Sequence, residues 1–328
     1  MSDAACSPAR LLVVIVNYGT PELTIDCLRS LRAEVTALGG TRVVVSDNAS
    51  GDDSVERIAG AIAEHGWQHW VTLLPLERNG GFAYGNNAAI APALASADPP
   101  AYVLLLNSDT VVRAGALGAL LEFMDARPDV GIAGSRLEDA DGTHQHSRYR
   151  FLSFWTELDS GLKLGIVTRL LRERSIAPPL VETAHAIDWV VGASMIVRRE
   201  VFRDVGLLDA HYFLYFEEVD FCLAARRAGW TCWYVPTSRV VHFVGRSTGL
   251  TRVGERPARR PRYWFESRQR YFQKNHGRAY ALAADVAWVA CYASWRVRRV
   301  LQRKPDTDPP HMLEDFLRFR WRALRASR

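Results

Sequence analysis

The sequence predicts an α/β protein whose Rossmann-like, mostly parallel sheet is flanked by helices. In the first third of the 328 residues, short apolar runs rich in Val, Ile and Leu alternate with segments of helical periodicity. A polar loop separates each run from the helix pattern that follows it. Continuous apolar runs are typical of parallel strands, because helices cover both faces of such a sheet.

The N-terminal elements follow one another in a regular order. The predicted strands are the apolar runs at residues 11–16, 43–45, 71–74 and 102–106. A helix is predicted after the first strand, with Thr20 as its cap and Pro21 as its first residue. Others are predicted after Gly51 and around residues 87–94. Repetition of strand, polar loop and helix predicts a doubly wound sheet.

The second half of the chain is less regular. An apolar strand is predicted at residues 186–192, running into 193–197. Three acids, Glu217, Glu218 and Asp220, then open a predicted helix. Their alternative interpretations are a solvated first helical turn, stabilised by the helix dipole, and a functional cluster.

Charge and cysteine content indicate the setting in which the protein acts. The formal net charge is +5, and arginine is concentrated after Thr248. This predicts an anionic partner: a membrane surface, a phosphate-bearing substrate or nucleic acid. We expect no nucleic-acid partner, because no recognised nucleic-acid-binding motif occurs. The five scattered cysteines and the lack of a secretory-signal pattern predict reduced thiols in a cytoplasmic protein.

The C-terminal region contains an apolar stretch at residues 279–295 between arginine-rich flanks. The stretch is interrupted by Asp285 and is short for a membrane span, so it predicts an interfacial helix at the inner face of an anionic membrane. The alternative is a helical cap whose apolar face packs on the main domain or on the second subunit of a homodimer.

Polar residues follow four of the predicted strands. Asn17, Asp47, Arg78 and Asp109 all lie where a strand ends. Ligands bind beyond the carboxyl ends of strands in doubly wound sheets, so these residues are expected to share one crevice. Asp47 and Asp109 are also compatible with simple helix N-caps.

A segment rich in Gly and Asn at residues 78–87 lies next to a predicted helix start. Its glycines allow close approach of a phosphate or nucleotide, although a simple turn explains the same composition. The segment matches neither the dinucleotide fingerprint nor the Walker A pattern, which disfavours NAD and P-loop chemistry. The aromatic residues at 212–216 precede the three acids, and such surroundings raise carboxyl pKa values, which favours a base.

The motifs, taken in order, resemble those of the family 2 glycosyltransferases, in particular the rhamnosyltransferase-like branch. The resemblance covers about residues 11–250. It rests on residues 14–18 (Val-Ile-Val-Asn-Tyr), 45–52 (Val-Ser-Asp-Asn-Ala-Ser-Gly-Asp), 78–87 (Arg-Asn-Gly-Gly-Phe-Ala-Tyr-Gly-Asn-Asn), 106–110 (Leu-Asn-Ser-Asp-Thr), 192–199, 205–209, 216–222 and 240–247. It implies a GT-A fold with a C-terminal helical extension.

The resemblance also implies a set of donor-binding residues. Asp109 matches the last acid of the family's Asp-x-Asp motif, which binds Mg²⁺ or Mn²⁺, and His242 matches a downstream histidine that completes the metal shell in some relatives. Asn107 stands where the fullest motif has its first acid. The residues implied in nucleotide-sugar binding are Asn17, Tyr18, Asp47, Asn48, Arg78, Gly81, Phe82, Asn87, Asn107, Ser108 and Asp109.

On the acceptor side, Glu218 occupies the place of the family's catalytic aspartate. Asp220 is the alternative base, and Glu217 is expected to orient its neighbours. The matched positions for acceptor binding are Trp189, Gly192 and Ala193. One base is sufficient for a single displacement that inverts the anomeric configuration.

The implied organisation is a catalytic domain at residues 1–250 and a basic, aromatic helical extension at 251–328. Within the catalytic domain, residues 11–110 form the nucleotide-sugar half and 111–250 the acceptor half. The implied reaction transfers a sugar from dTDP-L-rhamnose or a UDP-sugar to a lipid-linked or growing bacterial surface glycan. The alternative is a catalytically weak scaffold that binds nucleotide sugars or glycans, an interpretation that the departures at Asn107 and Glu218 keep open.

Overall fold

A computed structural model describes residues 10–245 and 257–326. The described chain forms two compact units that alternate along the sequence. The sheet unit comprises residues 10–148, 180–213 and 217–243, and the helical unit comprises 149–179, 214–216, 244–245 and 257–326. The predicted domain boundary at residue 250 lies outside the described residues, so that division stays a prediction.

The strands confirm the predicted α/β class. They are β1 (Leu11–Asn17), β2 (Thr41–Asp47), β3 (Val71–Pro75), β4 (Tyr102–Asn107), β5 (Thr110–Val112), β6 (Val130–Glu138), β7 (Arg148–Tyr149), β8 (His185–Ile187), β9 (Trp189–Val190), β10 (Ser194–Arg198) and β11 (Thr231–His242). The main sheet has the order β3-β2-β1-β4-β10-β6-β11-β5, and β8 pairs with β11. Pairs β1/β2, β1/β4, β2/β3 and β6/β11 are parallel, whereas β5, β8 and β10 run against their neighbours.

The helices of the described chain complete both units. They are α1 (Pro21–Leu38), α2 (Ser54–Glu64), α3 (Gly81–Leu94), α4 (Ala116–Ala126), α5 (Phe154–Leu162), α6 (Gly165–Leu170), α7 (Arg199–Val205), α8 (Glu217–Arg227), α9 (Arg262–His276), α10 (Arg278–Leu301) and α11 (Met312–Ala326). Short 3-10 turns lie at Trp67–His69 and Arg172–Arg174.

The core of the sheet unit explains the apolar runs of the sequence. Val13 and Ile15 of β1 share a buried cluster with Leu28 and Leu31 of α1. The alternate β1 residue Val14 is equally buried. Both faces of β1 are therefore covered, as expected for a central parallel strand.

The helical unit has its own core, in which aromatic residues predominate. Phe265 of α9, Phe316 of α11 and the α10 residues Trp288, Tyr292 and Trp295 form one buried cluster. The rings of Trp288 and Tyr292 stack with centroids 4.8 Å apart. One face of α10 is thus committed to packing within its own unit.

Several local predictions differ from the structure. The predicted strand at 186–192 is divided between β8 and β9, and β10 follows as a separate strand. Thr20 precedes α1, but its hydroxyl donates to the Asn17 side chain at 3.2 Å and does not cap the helix. The N-cap interpretation of the two strand-end acids is wrong, because Asp53 precedes α2 and β5 follows Asp109 directly.

Candidate active site

Strand register brings the predicted donor residues to one edge of the sheet. Asn17 at the end of β1 pairs in register with Asp47 at the end of β2. On the other side of β1, Val16 pairs with Asn107 at the end of β4. Since these strands are parallel and adjacent, their carboxyl ends meet at the crevice where doubly wound sheets bind ligands.

The Asn17 and Asp47 side chains form a buried network. The Asn17 amide donates to Asp47 Oδ1 at 2.7 Å and to Ser50 Oγ at 3.2 Å. Ser50 in turn donates from its hydroxyl to Asp47 Oδ1 at 2.6 Å, and its backbone N–H donates to Asp47 Oδ2 at 3.1 Å. These bonds fix the Asp47 carboxylate in one orientation. Sequence reasoning did not single out Ser50, although a serine three residues after a strand-end Asp is a recognisable turn signal.

The loop after β3 is fixed by a close backbone contact. Gly81 has φ +86°, and a Cβ at this position would lie 1.9 Å from the carbonyl oxygen of Phe213. The next residue, Phe82, donates its backbone N–H to that same oxygen at 2.9 Å. Asn48 also reaches this loop, because its side-chain amide donates to the Gly81 carbonyl at 3.0 Å. Only glycine satisfies both the conformation and the contact.

The remaining predicted donor-binding residues differ in exposure. Arg78 is exposed, with its guanidinium over the Tyr84 ring at 4.6 Å, and Tyr18 is 50% exposed. Asn87 donates to the Leu208 carbonyl at 2.7 Å, while its buried Oδ1 has no hydrogen-bond partner among the described residues. Arg78 and Tyr18 are therefore accessible to a ligand, whereas Asn87 contributes to packing between segments.

A second cluster, the Asp109 corner, comprises Asp109, Asn107 and His242. His242 Nε2 lies 3.4 Å from Asp109 Oδ1 and 3.5 Å from Asn107 Nδ2. The pairing of β11 with β5 places His242 opposite Thr110, and the Phe243 N–H donates to the Asp109 carbonyl at 2.9 Å. Residues far apart in sequence thus meet at the carboxyl edge of the sheet. Ser108, in the same turn, lies 3.4 Å from the Thr20 hydroxyl.

The Asp109 corner has few groups that bind metal ions. Within residues 10–245 and 257–326, no group of three or more His, Cys, Asp and Glu side chains is arranged to hold a metal ion. One carboxylate and one imidazole are present. Such a set suits a hard cation only where a ligand provides several further oxygens.

The predicted acceptor residues lie in β9 and in the turn just before β10. The Asn107 N–H donates to the Ala193 carbonyl at 3.1 Å, which links the end of β4 to the start of β10. Gly192 lies against the Phe82 ring, where an added Cβ would come within 3.1 Å of Cε1. Trp189 is buried in β9. Ala193 is thus connected with the end of β4, and Gly192 with Phe82, the second residue of α3.

Glu218 lies in the first turn of α8, as the sequence predicted. Its side chain is partly buried, and its Oε2 has no hydrogen-bond partner among the described residues. Burial raises the pKa of Glu218 to about 7, because desolvation disfavours the charged carboxylate. A carboxyl group with a pKa near neutrality is suited to accept a proton near pH 7.

The backbone just before α8 is strained. Tyr215 and Phe216 have φ of 71° and 72°. For bulky side chains this left-handed conformation costs on the order of 1–3 kcal/mol each, and such strain clusters at functional sites. Glu217 and Asp220 are buried in the same helical turn. No hydrogen bond of the described residues joins Glu218 to Asp109, so the two remain separate parts of the site.

The relatives of this chain among known proteins include rhamnosyltransferases. An N-acetylglucosaminyl-diphospho-decaprenol L-rhamnosyltransferase of Mycobacterium tuberculosis is 28% identical over 221 residues, covering 63% of this chain and 68% of that protein. Rhamnosyltransferase WbbL of Escherichia coli is 26% identical over 238 residues, covering 70% of this chain and 82% of the relative.

Solved structures show the same fold. The mannosyltransferase PcManGT from Pyrobaculum calidifontis, solved with GDP-Man and Mn²⁺, has a TM-score of 0.55 at 16% identity and covers 91% of this chain and 79% of that chain. This likeness confirms the predicted GT-A architecture. The family described as Glycosyltransferase like family 2 matches residues 8–273. The chain therefore belongs to glycosyltransferase family 2, in its rhamnosyltransferase-like branch.

Proposed function

We propose that this glycosyltransferase moves a sugar from a nucleoside-diphosphate donor to a hydroxyl group of a lipid-linked or growing bacterial surface glycan, with inversion. The observation that carries the proposal is the convergence of Asn17, Asp47 and the Asp109 corner at the carboxyl edge of adjacent strands. The activities of the two rhamnosyltransferase relatives support dTDP-L-rhamnose as the first donor to test, with UDP-sugars as the alternative.

The donor would bind along the crevice from the nucleotide to the diphosphate. Asp47, held by Asn17 and Ser50, presents a fixed carboxylate to the pyrimidine base. The exposed Arg78 adds a positive charge beside the loop that ends at Gly81. An oriented acceptor group and a nearby cation suit a pyrimidine nucleotide with an anionic tail.

Asp109 and His242 fit a divalent cation that shares the donor diphosphate. They would hold Mg²⁺ or Mn²⁺ with one carboxylate oxygen and one imidazole nitrogen, and diphosphate oxygens would complete the shell. A cation bound there would stabilise the negative charge of the departing nucleoside diphosphate. The Asn107 side-chain nitrogen lies 3.5 Å from His242 Nε2, and this amide adds no negative charge to the Asp109 corner.

Glu218 is the proposed general base. Its carboxylate removes the proton from the acceptor hydroxyl while that oxygen forms a bond to the anomeric carbon. The bond from the anomeric carbon to the diphosphate oxygen breaks in the same step, and the electron pair leaves with the nucleoside diphosphate. Because one displacement occurs, the anomeric configuration inverts.

A second candidate function is a scaffold that binds nucleotide sugars or glycans within a polysaccharide assembly complex. It is favoured by one feature, the presence of Asn107 in place of an acid, which leaves the Asp109 corner with a single carboxylate. The scaffold would bind the donor but would not transfer the sugar.

The deciding experiment combines binding with turnover. The protein is incubated with dTDP-L-rhamnose or UDP-sugars, with Mg²⁺, Mn²⁺ or a chelator, and with a short-chain diphosphate-linked glycan acceptor. We expect metal-dependent transfer with an inverted linkage, and loss of the metal-dependent thermal shift in Asp109→Asn. Donor binding without transfer to any glycan acceptor would favour the scaffold. Absence of binding to every nucleotide sugar would overturn both functions.

We further propose that the protein works at the inner face of the cell membrane, where a lipid-linked acceptor is presented. Within the described parts of the chain, no helix is long and apolar enough to cross a bilayer. In this proposal a surface of the folded protein makes the contact with the membrane.

A further inference from the structure

The face of α10 opposite its packed aromatic residues is exposed and carries no charge. Its members lie within about 120° of one another around the helix axis. This uncharged stripe consists of Ala279, Leu282, Ala283, Val286, Ala290, Ala293, Ser294, Val297, Val300 and Leu301. Its five large side chains are between 52% and 77% exposed. An apolar stripe of this length is unusual on a surface that meets only water.

A basic cleft lies between α9 and α11 in the same helical unit. It has a volume of about 1160 Å³, and eight cationic side chains and two carboxylates line it. The cations are Arg259, Arg260, Arg262, Arg270, Lys274, Arg278, Arg318 and Arg322. Charge of one sign around a concave surface concentrates anions there.

The two carboxylates of the basic cleft already have partners. Arg259 makes two hydrogen bonds to Asp315, at 2.7 and 2.6 Å, and Arg262 donates to Glu266 at 2.7 Å. In contrast, no acid within the described residues pairs with Arg278 or Arg322, both of which are exposed. The cleft therefore retains guanidinium groups that can bind phosphate oxygens.

Arg278 connects the two features. It lines the basic cleft and also begins α10, one turn before Leu282 of the uncharged stripe. At the other end of the stripe, the exposed cations Arg303 and Lys304 follow Leu301. An apolar stripe between cations matches the interfacial region of a bilayer, where lipid phosphates lie beside acyl chains.

We propose that the helical unit docks on an anionic lipid bilayer, with the uncharged stripe of α10 in the interface and the basic cleft on lipid phosphate groups. A second copy of this chain suits the surface less well, because a symmetric contact would bring the same cations face to face. This inference specifies how the protein would reach the membrane location proposed above, and it rests on that proposed function. Vesicle binding can nevertheless be measured without donor or acceptor.

The test uses the full-length protein and vesicles of phosphatidylcholine with or without phosphatidylglycerol. The stripe variant carries Val286→Ser, Val297→Ser and Leu301→Ser, and the cleft variant carries Arg278→Gln and Arg322→Gln. Since all five side chains are exposed, both variants are expected to fold. The matched controls on α1 are Ala33→Ser with Ala37→Ser, and Arg29→Gln with Arg32→Gln, all at exposed positions.

We expect wild type to co-sediment with the anionic vesicles and to be released by salt. The stripe variant should bind about tenfold or more weakly, because it loses apolar area in the interface. The cleft variant should bind anionic vesicles about tenfold or more weakly, because each of the two removed guanidinium groups is attracted to the anionic lipid surface. Both controls should match wild type.

Three results would overturn the proposal. The first is unchanged vesicle binding by the stripe variant. The second is a dimer in light scattering that the stripe variant dissociates while vesicle binding stays constant, which would assign the stripe to a second copy. The third is binding of free pyrophosphate that the cleft variant loses without loss of vesicle binding, which would make the cleft a site for soluble phosphates.

Failure of this inference is distinguishable from failure of the proposed function. Transfer to a water-soluble, short-chain acceptor should be equal in wild type and the stripe variant. Transfer without vesicle binding contradicts the docking surface alone, and vesicle binding without transfer contradicts the enzymatic function alone.

Discussion

Glu218 shows how a single carboxyl group can be adapted to its task by its surroundings. Burial is the main cause of its raised pKa. An acid so placed is neutral over much of the acidic range and becomes a base near neutral pH. This gives one kinetic and one thermodynamic prediction.

The kinetic prediction concerns the pH dependence of transfer. Because the base must be deprotonated, kcat/KM should fall about tenfold per pH unit below the Glu218 pKa of about 7. Glu218→Gln should reduce transfer at least about 100-fold while donor binding persists. The control Glu56→Gln, at an exposed position of α2, should keep both rate and profile. An acid limb near the ordinary glutamate pKa would point to a different base.

The thermodynamic prediction concerns the pH dependence of stability. The folded-state pKa of Glu218 is raised above its unfolded value of 4.5 to about 7. The favourable contribution of the protonated group is present below the unfolded pKa and is lost as pH rises to the folded pKa. Glu218→Gln should therefore become more stable than wild type between pH 4.5 and 7, by on the order of 1–3 kcal/mol. Denaturant unfolding at pH 5 and pH 8 measures this change, and an equal difference at both would contradict it.

Gly81 provides a steric prediction at the donor loop. An alanine there would place Cβ 1.9 Å from the Phe213 carbonyl oxygen, at φ +86°. We expect Gly81→Ala to destabilise the protein by about 2 kcal/mol or more and to weaken nucleotide-sugar binding. The control Gly60→Ala fills open space in α2 and should stabilise by about 0.5–1 kcal/mol. In calorimetry, the melting temperature should fall for Gly81→Ala and rise for Gly60→Ala, relative to wild type.

At the scale of elements, a buried network of ion pairs joins the helices of the helical unit to one another. Arg268 of α9 donates to Glu157 of α5 at 2.6 Å and to Asp285 of α10 at 2.5 Å. Arg320 of α11 also contacts Asp285, at 2.8 Å. The Arg268 guanidinium thus links its own helix to two others, and Arg320 extends the network to a fourth helix.

Removal of the Arg268 guanidinium should destabilise the folded protein. Arg268→Met preserves much of the side-chain volume but leaves two buried carboxylates without their main partner. We expect the free energy of unfolding to fall by about 3–5 kcal/mol. The control Arg29→Met breaks an exposed pair with Asp26 and should change stability by no more than about 1 kcal/mol. Urea denaturation compares the two, and a small effect for Arg268→Met would show that the network is dispensable.

At the scale of the whole molecule, the sequence predicted what depends on local periodicity. The strands β1 to β4, the acids in the first turn of α8, the fold class and the family are confirmed. Local pattern could not show that His242 reaches Asp109, because that contact depends on the pairing of β11 with β5. It also missed Ser50, whose role depends on the orientation of Asp47, and the division of the strand after residue 185.

The interleaving of the two units leads to a prediction about truncation. Phe216 belongs to the helical unit, where its ring lies 6.1 Å from Trp264 and 5.8 Å from Tyr271. A chain that ends at residue 250 lacks both partners. We expect it to lose transfer at least about 100-fold, because the strained turn before Glu218 is no longer packed. Transfer by a purified, folded truncation at the wild-type rate would contradict this expectation.

The position of residues 214–216 in the helical unit has a consequence for the order of synthesis. A ribosome releases the strands and the helix that carries Glu218 well before α9, whose Ser267 hydroxyl donates to the Leu214 carbonyl at 3.1 Å. N-terminal regions fold first during translation. A nascent chain can thus form the Asn17 and Asp47 network while its strained turn still lacks the aromatic residues that hold it. We expect the growing polypeptide to acquire affinity for its donor first and the capacity to transfer only when the last helices have emerged.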